Sequence, residues 1–162
     1  MARARQHPKT NAVRLLEAAG VTFGTQEYAV DENNLDAGHV AQELGEDIRR
    51  VFKTLVLRGE RTGLFVCVVP GDCEVDLKKA AAVAGDKKAE MIAMKELLPL
   101  TGYIRGGCSP VGMKKPLPTF FHRTALDFNT IYVSAGVRGL QLVIAPADLI
   151  AFVGATVADL VK

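Results

Sequence analysis

Two segments of the chain carry the residues best able to do chemistry. The segment 101–115 contains four glycines, a proline, a serine and two closing lysines. Glycine leaves backbone N–H groups unshielded, so such a loop can closely approach a carbonyl or phosphate oxygen. Upstream, Lys53 stands within the mainly apolar run 51–57. Its ammonium must reach solvent or point into a cavity, so the two segments together predict a site for an anionic, carbonyl-containing substrate.

Length and composition are typical of a small enzyme. The chain has 162 residues, 49% of them hydrophobic, and Lys plus Arg exceed Asp plus Glu by 20 to 18. A chain of this length can bury about two thirds of its unfolded surface, so we expect one domain over residues 10–162. Residues 1–9 are basic and are not followed by an apolar run. We interpret them as a flexible N-terminal tail, neither a signal peptide nor a membrane span.

The cysteines predict reduced thiols. Cys67, Cys73 and Cys108 are odd in number and have no C-x-x-C spacing, which favours a cytoplasmic location over a disulfide framework. The same spacing gives no metal motif. We therefore expect neither a metal nor a cofactor.

Hydrophobic periodicity and turn residues predict alternating helices and strands. We expect helices that bury Val13, Leu16 and Ala19 in the first and Leu77 and Ala80 in the third. Hairpin and helix-separated strand pairs together predict the α+β class, a mixed sheet with helices packed on it. The predicted helices cover residues 10–19, 37–44, 76–84, 94–98 and 146–153, and the strands cover 21–30, 51–58, 63–69, 88–92, 119–122, 130–134 and 140–145.

Four motifs occur in order along the chain, at residues 52–55, 76–81, 101–115 and 131–134. With them the sequence resembles the YbaK family of aminoacyl-tRNA deacylases, which is related to the editing domain inserted in bacterial prolyl-tRNA synthetases. The resemblance implies a curled, barrel-like mixed sheet with flanking helices. It also implies removal of cysteine from Cys-tRNA(Pro), and from Cys-tRNA(Cys) as a further substrate.

The resemblance places Lys53 in the editing pocket as the catalytic residue. A fixed cation near an ester can stabilise an oxyanion or hold the 3′ end of the tRNA. On the residues alone, a strand lysine that reaches solvent or pairs with a carboxylate is the more common case. Thr54 is a substrate-binding candidate beside it, although strand alternation points its side chain to the opposite face.

Five further substrate-binding candidates follow from the resemblance and from the glycine-rich segment. Tyr28 and Ser134 are pocket residues in the family. The ordinary alternatives are a half-buried tyrosine with a solvated hydroxyl for Tyr28 and a hydroxyl that caps a turn for Ser134. Gly106 and Gly107 would let the aminoacyl ester lie against backbone N–H donors. Ser109 precedes a proline and is therefore extended, and no neighbouring base marks it as a nucleophile.

Three residues depart from the family pattern. Ala135 stands where glycine is common, and Gln141 stands where some relatives have a carboxylate. Cys108 replaces a more usual aliphatic residue. Its glycine and lysine neighbours could lower the pKa of the thiol, but a small buried thiol is the more common state, so we assign it no catalytic role.

The basic doublets are candidates for contact with tRNA phosphates if the fold gathers them, whereas solvated surface is their ordinary role. The chain has no Trp and no aromatic motif for reading RNA bases, so tRNA choice would come from elsewhere, with a prolyl-tRNA synthetase as candidate partner. Neither DNA nor a membrane is an expected partner. The doublets are Lys78–Lys79, Lys87–Lys88 and Lys114–Lys115.

The sequence contains no motif for a triad, a metal or an acid pair. The mechanism implied by the resemblance therefore uses the thiol of the substrate cysteine, which attacks its own ester and expels the tRNA. Two alternatives stay open: hydrolysis of another small ester such as Ala-tRNA(Pro), and a noncatalytic module that binds the tRNA end or a synthetase.

Overall fold

Five α-helices and eight β-strands form the part of the chain that the computed structural model describes, residues 9–162. The predicted tail lies outside the described residues except for Lys9, whose ammonium pairs with Glu17 at 2.9 Å. The helices are α1 Asn11–Ala18, α2 Ala37–Leu44, α3 Leu77–Val83, α4 Leu97–Thr101 and α5 Pro146–Val153. The strands are β1 Phe23–Glu27, β2 Phe52–Gly59, β3 Gly63–Pro70, β4 Ala89–Met91, β5 Thr119–His122, β6 Ile131–Ser134, β7 Leu140–Ile144 and β8 Thr156–Ala158.

The strands form two sheets. One is antiparallel, in the order β1-β7-β6, and the other is mixed, in the order β4-β2-β3-β5-β8, with β5 parallel to both of its neighbours. The predicted mixed α+β class is confirmed. The barrel-like closure is not confirmed, because the sheets are open and meet between β2 and β6 through a single parallel bridge, Val51 to Tyr132.

Alternation along β2 explains how the two sheets share a core. Phe52 and Val56 point from one face of the strand into the apolar layer between the sheets, where they meet Ile131 and Leu142. Leu57, on the other face, belongs to a second apolar cluster that packs beneath α3. The five-stranded sheet therefore has an apolar layer on each side, as the near-continuous apolar sequence of β2 and β3 requires.

Side-chain caps fix where the helices begin. Thr10 Oγ1 accepts from Val13 N at 3.1 Å, and Asp36 Oδ1 accepts from His39 N at 2.8 Å. The two caps lie at, or directly before, the first residues of the predicted helices 10–19 and 37–44. The predictions that Ala19 and Leu77 point inward are wrong, because both residues lie at helix ends and are exposed.

Two strands differ from expectation. The first strand is shorter than residues 21–30, since its partner β7 begins at Leu140, opposite Glu27. The strand β8 is missing from the sequence prediction because its three residues pair in parallel with β5, a contact that no local pattern records.

None of the helices between residues 9 and 162 is long and apolar enough to cross a membrane.

Candidate active site

A cavity of about 490 Å³ opens where β2 and β6 part beyond their bridge. The far edge of β2 is covered by β4 only at residues 57–59, so residues 52–55 have no strand partner on that side. Loss of the strand neighbour creates the gap, and its volume is in the range typical of small-ligand sites. Residues just before and within α2 and β2 line it first, at positions 35–37, 40 and 51–56. The remaining lining residues are Gly71, residues 91–94 and 97, residues 105, 106 and 108 of the glycine-rich segment, Ser134 and Gln141.

Lys53 contributes a half-buried cation to the cavity. Its ammonium donates to the carbonyl oxygen of Gly71 over a long 3.5 Å and makes no ion pair among residues 9–162. The fold therefore does not pair this lysine with a carboxylate of the described residues. A cation held by one weak bond can turn to an incoming anionic oxygen.

Register places Ser134 on the same face as Lys53. Val51 and Tyr132 form the bridge between β2 and β6, and Lys53 and Ser134 each lie two residues beyond it. Because side chains alternate along a strand, both point to the face that α2 covers. Ser134 Oγ accepts from Gly136 N at 3.1 Å, which leaves its O–H free to donate into the cavity.

Two polar side chains of the lining have buried oxygens without a hydrogen-bond partner among the described residues, Thr54 Oγ1 and Gln141 Oε1. Gln141 lies directly across from Ser134 in the β6–β7 pair. Thr54 does point away from Lys53, as alternation predicts, yet both line the cavity because the cavity follows the open edge of β2. The role of Thr54 in substrate binding stays a prediction.

The glycine-rich segment is held rigidly beside this edge. The hydroxyl of the buried Tyr103 donates to the carbonyl of Val111, and Arg138 Nε donates to the carbonyl of Arg105 at 2.8 Å. Burial raises the pKa of Tyr103 to about 12, so this phenol remains a donor at neutral pH. These two hydrogen bonds brace the loop beside the open edge of β2.

The two predicted loop glycines occupy different positions. Gly106 lines the cavity with φ +83°, a conformation that favours glycine. Gly107 is buried outside the lining, and a Cβ atom there would lie 3.2 Å from backbone atoms of Val137 and Arg138. Its missing side chain lets the loop pack against the β6–β7 turn, which sets the position of Gly106.

Gly107→Ala is expected to slow the deacylation that the family resemblance implies by about 10- to 100-fold, because displacing a positioning loop by about one ångström can have that effect. The fold should survive, since only this contact has to widen. Initial rates and thermal unfolding measure the two effects separately. Gly24→Ala is the matched control, because nothing lies within 4 Å of the added methyl and φ is not in the left-handed range. Equal rates for Gly107→Ala and Gly24→Ala would contradict the positioning role.

Tyr28 and Ser109 lie beside the cavity lining rather than in it. Tyr28 lines a narrow crevice that shares Leu35, Val40 and Gly106 with the cavity. Ser109 is fully buried, and its Oγ accepts from Val111 N at 3.2 Å within the loop. A direct contact of either residue with substrate stays a prediction.

Cys108 lines the cavity, and burial raises the pKa of its thiol to about 12. A thiol with this pKa is neutral at pH 7, so the glycine and lysine neighbours do not generate a thiolate. Cys67 and Cys73 are also free thiols. Among the described residues, no group of three His, Cys, Asp or Glu side chains could hold a metal ion.

Sequence reasoning did not single out several lining residues. Leu35, Asp36 and Val40 reach the cavity because α2 lies across the sheet, and Arg105 reaches it from the glycine-rich segment. The Asp36 cap was readable from the sequence as a helix start. Its place at the cavity mouth depends on tertiary packing and leaves no local signal.

Comparison with known proteins identifies the family. The sequence model of the aminoacyl-tRNA editing domain matches residues 31–152. This chain belongs to the YbaK-type aminoacyl-tRNA editing family. It is 45% identical over 160 residues, 99% of its length and 98% of the other's, to the "Putative Cys-tRNA(Pro)/Cys-tRNA(Cys) deacylase EbsC" of Enterococcus faecalis. The editing of aminoacyl-tRNA, a function in translation fidelity, is thereby supported.

Two further relatives agree with this assignment. A proline–tRNA ligase of Thermosipho africanus is 35% identical over 115 residues, which cover 71% of this chain and 19% of the ligase. A solved structure described as "a putative trans-editing enzyme for prolyl tRNA synthetase" superposes with a TM-score of 0.81 at 28% identity, covering 94% of this chain and 98% of that one. The overall architecture is therefore an editing-domain fold.

Proposed function

We propose that this protein edits misacylated tRNA in trans, removing cysteine from Cys-tRNA(Pro) and also from Cys-tRNA(Cys). The observation that carries the proposal is the chemistry of the cavity. It holds a weakly tethered cation, Lys53, next to open backbone edges and hydroxyl groups, while its one thiol, Cys108, is neutral at physiological pH. Such a site binds and polarises an ester but lacks an activated nucleophile of its own among the described residues.

A cysteinyl ester supplies the missing nucleophile. Its sulfur attacks the ester carbonyl carbon, a C–S bond forms, and the bond from that carbon to the tRNA 3′ oxygen breaks. The thiol proton ends on the departing oxygen, so the products are a cyclic thiolactone and free tRNA. Lys53 faces the oxyanion that develops on the carbonyl oxygen, and the cavity holds sulfur and carbon close enough to react. No base of the protein takes part in this route.

A panel of aminoacyl-tRNAs tests the proposal. The purified protein is incubated with cysteinyl, alanyl, seryl and prolyl esters of tRNA(Pro), and with Cys-tRNA(Cys). We expect rapid loss of cysteine and slow loss of the other residues. Fast release of alanine would favour the hydrolytic alternative, since a small cavity discriminates poorly between small side chains. Binding of tRNA without release of any residue would favour the noncatalytic module.

A second cleft, of about 500 Å³, contains part of the basic surface and is the candidate site for tRNA phosphates. Lys78, Lys87 and Lys88 line it, and none of them has a side-chain partner among residues 9–162. Asp86 Oδ1 accepts from Lys87 N at 2.7 Å and fixes the start of that doublet. Lys79 faces elsewhere and pairs with Asp159 at 3.0 Å.

The strand β4 connects this cleft to the cavity. Ala89 and Glu90 line the cleft, while Met91 lines the cavity. Adjacent strand residues are only about 3.3 Å apart, so a nucleic-acid strand whose end lies in the cavity can continue into the cleft. In this arrangement the tRNA 3′ end lies in the cavity, and the phosphates that precede it lie over the lysines of the cleft.

The double variant Lys87→Glu/Lys88→Glu is expected to weaken tRNA binding and to reduce the slope of log affinity against log salt by about two, one for each lost phosphate contact. Filter binding of uncharged tRNA at several salt concentrations measures this slope. Arg14→Glu/Arg123→Glu changes the same charge at two exposed residues that line neither the cavity nor the cleft, and should leave the slope nearly unchanged. Equal losses in both variants would show a general charge effect and remove the cleft from the proposal.

A further inference from the structure

The amide of Gln141 has no explanation in the fold. The residue is 5% exposed and lines the cavity, and its Oε1 has no hydrogen-bond partner among the described residues. Folded proteins leave few buried polar groups unpaired, because each one destabilises the folded state. A half-turn of the terminal amide exchanges its oxygen and nitrogen, so either atom can be presented to the cavity. A ligand is therefore the natural partner.

A second glutamine in the same sheet, Gln26, provides a comparison for Gln141. Gln26 lies directly beside Gln141 on β1, in the same row of the sheet. Its Nε2 donates to the carbonyl of Leu44 at 3.5 Å, while the Tyr132 hydroxyl, 3.4 Å from its Oε1, donates its one hydrogen to Glu46 Oε1 at 2.8 Å. Gln26 does not line the cavity. The fold thus provides a partner for the amide of Gln26 and none for Oε1 of Gln141 at the cavity wall.

The charge of Lys53 bears on which end of an aminoacyl ester meets Gln141; the second cation of the lining, Arg105, belongs to the glycine-rich segment. Lys53 and Gln141 point to the same face, on β2 and β7, with β6 between them. Neighbouring strands are about 4.8 Å apart, so their backbones are separated by roughly 10 Å or more. The ammonium of Lys53 repels the amino group of the ester and attracts its carbonyl oxygen. The amino group is therefore driven toward the far wall, where an amide oxygen can accept its hydrogen bond.

Asp36 is the acidic residue among the lining side chains. Its Oδ1 accepts from His39 N and caps α2, whereas Gln141 Oε1 accepts from no described residue. We propose that Gln141 forms the subsite for the free α-amino group of the aminoacyl ester and so makes cleavage depend on that group. This inference rests on the proposed editing function and names the residue that recognises the ligand's primary amine.

The test compares two esters of the same tRNA. One is the cysteinyl ester, and the other is the 3-mercaptopropionyl ester, which keeps the reacting thiol and lacks the amino group. Each enzymatic rate is divided by the spontaneous rate of that ester. We expect the wild type to prefer the cysteinyl ester by about 10- to 100-fold, the effect of one hydrogen bond to a charged group. Gln141→Leu should remove this preference by slowing the cysteinyl ester alone, as a double-mutant cycle requires.

Stability supplies a second readout. Gln141→Leu removes an unpaired buried amide, so its Tm should rise by roughly 2–4 °C. Gln26→Leu is the matched control: it removes a partnered amide, so its Tm should fall and its preference between the two esters should stay at the wild-type value. Gln141→Glu keeps an acceptor and should keep the preference.

The outcomes separate this inference from the proposed function. An active wild type that cleaves both esters equally, or a Gln141→Leu variant with unchanged preference, overturns the amino-group subsite and leaves the editing function standing. A lower Tm in Gln141→Leu also overturns it, since the amide would then have a structural partner. Absence of cleavage of either ester by the wild type would instead refute the editing function.

Discussion

Lys53→Ala is expected to abolish deacylation while the protein stays folded. Loss of one group that stabilises an oxyanion typically lowers the catalytic rate by about 10²- to 10³-fold, and Lys53 is the cation of the cavity that lies on β2. Its single hydrogen bond, 3.5 Å to the carbonyl of Gly71, contributes little to stability. The single-turnover rate of this variant should therefore fall by that factor, while its Tm stays close to that of the wild type.

Two further variants sharpen this prediction. Lys53→Arg keeps the charge with a larger, planar head, so we expect partial activity at best, because the two cations differ in geometry. Lys95→Ala removes an exposed lysine outside the cavity lining and should leave the rate unchanged. Full activity in Lys53→Ala would refute its place at the centre of the site.

The substrate thiol is expected to decide the rate. Cysteinyl-tRNA should be cleaved well, whereas seryl-tRNA, which is nearly the same size, should be cleaved slowly because a hydroxyl is a far weaker nucleophile at neutral pH. Because the two esters are nearly the same size, a difference between their cleavage rates reports the reactivity of the nucleophile and not binding in the cavity. The product trapped from cysteinyl-tRNA should be a thiolactone or a species formed from it.

Cys108→Ala is the control for the origin of the sulfur. Burial raises the pKa of the Cys108 thiol to about 12, so the enzyme's own thiol is not ionised and its removal should leave the rate nearly unchanged. Total loss of activity in a folded Cys108→Ala variant, or equal rates on seryl- and cysteinyl-tRNA, would exclude the substrate-assisted route. Water or an enzyme thiol would then be the nucleophile.

The parts of the fold that the sequence predicted correctly are those marked by neighbouring residues, such as turns and helix caps. The hairpin of β2 and β3 is marked by two apolar runs and a short polar turn, and it appears at residues 52–59 and 63–70. The helix at Ala37–Leu44 has both a capping Asp36 and a terminating Gly45, and its predicted bounds match the observed ones. Capped helices and hairpins are specified by neighbouring residues, so one sequence suffices.

Long-range pairing explains what could not be predicted. The chain forms two open sheets because only Val51 and Tyr132, 81 positions apart in the sequence, connect β2 to β6. The same parting of strands puts Thr54 and Lys53 in one cavity although they point to opposite faces. Gln141 could be noticed in the sequence as a departure from the family, but its unpaired amide is visible only once β7 lies beside Ser134.

A single-turnover assay on Cys-tRNA(Pro) and Pro-tRNA(Pro), with excess purified wild-type protein and with Lys53→Ala, decides whether the cavity edits tRNA. We expect the wild type to release cysteine far faster than the spontaneous rate and to leave the prolyl ester intact. Lys53→Ala should release cysteine at nearly the spontaneous rate. Loss of cysteine at the spontaneous rate with the wild type, or equal release of cysteine and proline, would refute an editing function of this cavity.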